Sequence, residues 1–233
     1  MRAEVSLALV GMVACVATAN ADVVTVEYLS RGEGRTVEAQ RGSLVRNIFV
    51  GQLVHEFSNG TGQGELIEGT MISFCSDFND RVATTPTVYD VVPVTLLPDD
   101  APMGNDRAAA IDRIYTEAAG AQFGSNADDI AAAFQLAIWE IIYDFDEAAG
   151  RSSLNVAAGE FQARSSNGSP LSAGITTQLD RLLDAAVSGQ GGNFLLGLRS
   201  DSRQDQLVLV PAPGAIALAG LGGLLAARRR RSA

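Results

Sequence analysis

The chain has 233 residues, 47% hydrophobic, 19% charged and only 6% aromatic, enough for one sizeable core in a single domain between two processing segments. Its formal net charge is −10 and every basic residue is Arg; setting aside Arg2, Glu4 and the four terminal arginines leaves 26 acids against 12 arginines, or −14. So acidic a body excludes partners that need phosphate neutralised, nucleic acid above all, and neither an EF-hand-type D-x-D-x-D-G loop nor a glycine-rich phosphate loop is present.

The first 21 residues, MRAEVSLALVGMVACVATANA, carry one early Arg, an apolar stretch from Val5 to Val16 and small residues at Ala19 and Ala21. They read as a secretory signal peptide cut after Ala21. Segments 23–29, 46–57, 65–74 and 87–97 are rich in β-branched and aromatic residues and are punctuated by Gly and Asn clusters such as SNGTGQG at 58–64. This is the pattern of strands and turns, with 65–74 following a hairpin-like turn and delivering Cys75 at a strand end. Three helices are expected next. Segment 106–119 has Ala110, Ile111, Ile114 and Ala118 at helical spacing; 127–148 starts with Asp128 and Asp129 at the positive helix end; 175–187 is closed by Gly189. Residues 154–164 read as a strand, 165–170 as a loop, and further strands are expected at 193–199 and 206–210. Strands, then helices, then strands indicate an α+β domain over 22–206, an antiparallel sheet or barrel-like core with about three helices.

From residue 207 onward the sequence changes character. VLVPAPGAIALAGLGGLLAARRRRSA places about 17 small and apolar residues, just enough to cross a bilayer, before Arg228, Arg229, Arg230 and Arg231. Those arginines are expected to stay cytoplasmic. The tail resembles the PEP-CTERM sorting signal, with Val210, Pro211 and Pro213 in the Val-Pro-x-Pro position and Ala212 where Glu is usual. The resemblance implies an exported protein, anchored at least transiently through an apolar C-terminal helix and recognised by an exosortase-type sorting protease. An ordinary C-terminal anchor would likewise place the domain outside the cytoplasmic membrane.

Little conventional chemistry is available. With the signal removed, Cys75 is the one cysteine, so a disulfide within the chain is excluded. His55 is the sole histidine, and one Cys with one His falls short of a zinc site, so no metal and no cofactor is expected. A Cys75–His55 nucleophile pair with Asp77 as orienter is the remote alternative, because His55 lies in a strand-like stretch suited to a structural histidine.

Within the second helix, FQLAIWEIIYDF at 134–145 sets Gln135 among Ala131, Ala132, Ile138, Trp139 and Ile142, about 180° from Asp144 and about 140° from Glu140. A buried carboxamide without partners costs roughly 1–3 kcal/mol, so Gln135 needs one. Ile72-Ser73-Phe74-Cys75 and Phe134-Gln135-Leu136-Ala137-Ile138-Trp139 resemble the two motifs of bacterial surface thioester domains, an aromatic-Cys motif and a Φ-Gln-x-x-Φ-Trp motif (Φ apolar). The resemblance spans roughly residues 65–165; Trp139 to Asp144 and Leu154 to Phe161 also resemble exported PEP-CTERM proteins with such a domain. It implies a Cys75–Gln135 thioester with Phe74, Phe134 and Trp139 shielding it from water, Asp77 or a backbone amide as helper, and an amine-bearing surface or matrix target. That is covalent adhesion used once, not turnover. The absence of Lys also removes lysine amines that would couple to the bond internally. The rival is a structural or exopolysaccharide-matrix protein of the same fold without the bond, with Gln135 bonded to buried backbone.

Overall fold

A computed structural model describes residues 21–119 and 127–210. Seven strands are present: β1 (Val23–Arg41), β2 (Leu44–Ser58), β3 (Gly69–Cys75), β4 (Thr87–Val92), β5 (Phe161–Ser165), β6 (Leu195–Arg199) and β7 (Gln206–Leu209). With them come α1 (Gly104–Ala118), α2 (Ala127–Asp144) and α3 (Ala173–Ser188). The architecture is α+β, as the order of strand and helix patterns implies. All strand pairings are antiparallel, in the order β2-β3-β7-β6-β4-β1-β5, and β2 also pairs with β1. The pairings of β2, β3, β7, β6, β4 and β1 therefore run in a ring, with β5 added on the outer half of β1.

Two cores follow from this arrangement. One gathers Val24, Val26, Phe57, Tyr89, Leu196 and Leu198 from the strands. The larger one lies between the sheet and the helices and contains most of α2. Every residue of α2 from Ile130 to Tyr143 is buried, Glu140 included, because the helix packs against α1 and α3 as well as β1 and β2. A helix apolar nearly all round belongs in such a position.

Element boundaries differ from the sequence pattern at five places. β1 continues twelve residues beyond 29, since its polar second half is paired on both sides, by β2 and by β5. The stretch 62–67 is a 3-10 turn rather than strand, so β3 begins at Gly69. β4 stops at Val92 because Pro93 has no N–H for the ladder, and 94–96 coil into a 3-10 turn. α2 ends at Asp144, not 148: the Asp144 carboxylate accepts the N–H groups of Glu160 (2.7 Å) and Phe161 (2.8 Å), and Asp146 takes the N–H of Ala148 into a local turn. Of the strand expected at 154–164 only 161 onward is formed, because Asn155 folds 155–158 into a turn.

β7 carries the sheet through Leu209, and Val210 follows it with its N–H on the Phe194 carbonyl (2.9 Å). Nearly all of the signal-like segment lies outside the described residues, as do Pro211, Pro213, Arg228, Arg229, Arg230, Arg231 and the expected C-terminal apolar helix. Among the described residues no helix is long and apolar enough to cross a membrane.

Candidate functional site

The site is built where two long strands part company with β3. β2 pairs with β3 from Phe57↔Gly69 to Leu53↔Ser73, and then its partner is β1 alone. The departure is marked by Gly51, whose φ of +149° and close approach to β1 leave no room for a side chain: a Cβ would sit 2.3 Å from the Glu33 carbonyl oxygen. Cys75, at the end of β3, is paired on its other side with Gln206 of β7. Its backbone N–H and C=O therefore face an edge that no strand occupies.

Gln135 fills that edge. The Cys75 N–H donates to Gln135 Oε1 at 2.9 Å, and Gln135 Nε2 donates to the Cys75 carbonyl at 2.8 Å. A side-chain amide thus makes the two bonds of a neighbouring strand, linking α2 to β3 across 60 residues of sequence. Gln135 is 1% exposed and Cys75 7%. The two residues named by the motifs are brought together.

The sulfur has a different environment. Cys75, Ser73, Gln206 and His55 lie on one face of the sheet, as alternation along β3 and its pairings requires, whereas Phe74 faces the helices. The Cys75 thiol donates to Gln204 Oε1 at 2.9 Å, and Gln206 Nε2 approaches the sulfur at 3.8 Å. Burial pushes the Cys75 thiol up to about 12, partly offset by the Gln206 contact.

Aromatic residues occupy the helix side of this junction. Phe74 meets Phe134 edge to face at 4.7 Å, and Tyr115 meets Phe134 at 4.8 Å. They line an apolar cleft of about 440 Å³ with Ile72 and Ile130. Trp139 sits in a second cluster with Phe78 (5.2 Å) and Phe161 (5.7 Å). The expected shielding residues are all buried, Phe74 and Phe134 beside the paired backbone and Trp139 one helical turn further on.

Asp77 has other work to do. Its carboxylate accepts the N–H groups of Asn79 (2.7 Å) and Asp80 (3.1 Å), holding the turn after β3, and burial raises it to about 6. Asp77 connects with the cysteine through its carbonyl, which accepts from Gln204 Nε2 at 2.7 Å. The polar group that touches the Gln135 carboxamide oxygen is instead the Cys75 backbone N–H, the other helper expected.

His55 is not paired with Cys75. Its Nδ1 lies 2.9 Å from Ser73 Oγ, its ring packs between Tyr28 and Phe57, and burial lowers it to about 4. Among the described residues no group of three or more His, Cys, Asp and Glu is arranged to hold a metal. Nothing in the sequence pattern singles out Gln204 and Gln206, since a Gln-x-Gln beside a short apolar strand is what a solvated strand entry also carries. The one legible hint is that two amides at i and i+2 share a strand face. Comparison with known proteins gives no matching family model, no matching curated protein and no matching solved structure.

Proposed function

We propose that the chain is an exported, envelope-anchored surface domain in which Cys75 and Gln135 form an internal thioester that captures an amine on a neighbouring surface or matrix. The observation that carries the reading is the two-point pairing of the Gln135 carboxamide with the Cys75 backbone, 2.9 and 2.8 Å, in a buried site. In the forming step the Cys75 sulfur attacks Gln135 Cδ. The S–H and Cδ–Nε2 bonds break, a Cδ–Sγ bond forms, and the thiol proton leaves with Nε2 as ammonia. Negative charge building on Gln135 Oε1 during the attack is met by the Cys75 N–H already donating to that oxygen. A primary amine then attacks Gln135 Cδ, leaving an amide there and returning the proton to sulfur. Burial keeps water from competing with that amine. The tail would deliver the domain to an exosortase-type protease and hold it at the membrane until sorting.

Intact-mass measurement of the purified protein tests the bond. The mass is expected to fall one ammonia short of the sequence mass, Cys75→Ala or Gln135→Ala should restore it, and methylamine should add once, at Gln135. A wild type of full mass with a freely alkylated Cys75 sinks the proposal.

One observation favours a second reading. The Gln135 pairing is already complete as a hydrogen-bonded closure of the β3 edge, which suits a structural or exopolysaccharide-matrix protein with no bond. That protein would show the full mass and take up no methylamine. A cysteine hydrolase has less support, because Ser73 and Gln206 stand between His55 and the sulfur.

A further inference from the structure

Two buried carboxamides other than Gln135 converge on the Cys75 sulfur, and both have their orientation decided by groups other than Cys75. Gln204, 3% exposed, gives its Nε2 to the Asp77 carbonyl, which turns its Oε1 to the thiol. Gln206, 1% exposed, receives the Ser73 hydroxyl proton on its Oε1 at 3.0 Å. With that proton so used, Ser73 Oγ must accept from His55, so the His55 tautomer is the one protonated on Nδ1. The chain His55–Ser73–Gln206 then leaves Gln206 Nε2 aimed inward, one N–H on the Gln204 carbonyl at 3.1 Å and the other towards the sulfur. The sulfur therefore meets one acceptor and one donor, each set in place from outside.

We propose that Gln206 is the residue that stabilises the charged form of the Cys75 sulfur, as nucleophile when the thioester forms and as leaving group when an amine opens it, with Gln204 directing the S–H beforehand. The inference rests on the thioester reading for its purpose, though not for its chemistry. The sulfur of a residue only 7% exposed receives little help from water when it bears charge, so a fixed N–H takes over that task. During aminolysis the Cδ–Sγ bond breaks with its electron pair going to sulfur, and the N–H of Gln206 is the donor facing that charge until the amine's proton arrives. Burial raises the thiol and the Gln206 contact opposes the rise, in keeping with this role.

The test separates this proposal from the bond itself by using Gln135→Glu, which keeps the size of the side chain and an oxygen for the Cys75 N–H but has no ammonia to lose. In that background the rate of Cys75 alkylation by iodoacetamide is followed against pH, with and without Gln206→Glu, which keeps the Ser73 contact while replacing the donor by an acceptor. The expected result is a profile moved to higher pH and a rate about tenfold lower at pH 8. Gln206→Leu serves as a second donor-free variant, and circular dichroism confirms that each variant is folded. In the otherwise wild-type protein, Gln206→Glu should slow methylamine coupling by about tenfold. Superimposable alkylation profiles in folded variants would overturn the role of Gln206. A wild type of full mass would instead overturn the thioester, with the alkylation profile still deciding Gln206.

Discussion

Gln135 and Glu140 are the two polar residues inside a helix that is otherwise built for burial, and they are satisfied to different degrees. Gln135 has both ends of its amide paired by the Cys75 backbone. Glu140 is fully buried, accepts the Asn155 N–H on Oε1, and has no hydrogen-bond partner on Oε2 among the described residues. Burial raises its carboxyl from 4.5 to about 8, opposed in part by the Asn155 contact and Arg151. Between those values the folded chain keeps a proton that the unfolded chain has released, so stability falls as pH rises across the window and levels off above about 8. Glu140→Gln keeps the Asn155 contact and cannot ionise. It is therefore expected to be neutral near pH 4 and to melt several degrees above wild type at pH 8, as thermal unfolding at the two values will show. An equal melting shift at both values would mean that Glu140 acts through packing instead of its charge. The sequence placed Glu140 about 140° from Gln135 and so on the polar side of α2, but it could not reveal that the segment at Asn155 covers that carboxyl.

At the scale of elements, α2 and its start were legible because a long, nearly unbroken apolar run follows Asp128 and Asp129, which mark the positive end. Its end was not. Residues 145–148 continue the helical pattern in composition, whereas the stop is made by contacts with Glu160 and Phe161, far along the chain. The same holds for β1, whose second half has neither β-branched density nor an apolar alternation and is strand only because β2 and β5 flank it. Local pattern reports propensity; partners decide lengths. Asp144 is such a partner, holding the C-terminal end of α2, and with it the approach of Gln135, to the entry of β5. Asp144→Ala removes two charge-assisted hydrogen bonds and should cost about 2–3 kcal/mol in urea unfolding. A loss below about 0.5 kcal/mol would show that helix packing alone sets where α2 stops.

For the molecule as a whole, the motif pair Cys75 and Gln135 was visible before any fold, since a lone cysteine and an amide set in an apolar helix invite a common explanation. What stayed invisible was the route by which they meet: β2 leaving β3, and a side chain taking the vacant strand position. That route also gives the proposed bond a mechanical meaning. Cys75 belongs to the ring of strands and Gln135 to the helical layer, so a thioester between them would tie the two layers of the domain together. Closing a loop of 60 residues removes unfolded-state entropy worth about 4 kcal/mol in the chain-entropy account of cross-links. Capture of an amine opens that tie while leaving the amide in place, so the domain should lose stability as it binds. For a domain of this size a change of about 4 kcal/mol corresponds to a fall of roughly 10 °C in melting temperature. Wild type treated with methylamine is therefore expected to melt about that much lower than untreated protein, and close to untreated Cys75→Ala. If methylamine couples but the melting temperature does not move, the bond exists without tying the layers, and the strand-like pairing of Gln135 carries the connection by itself.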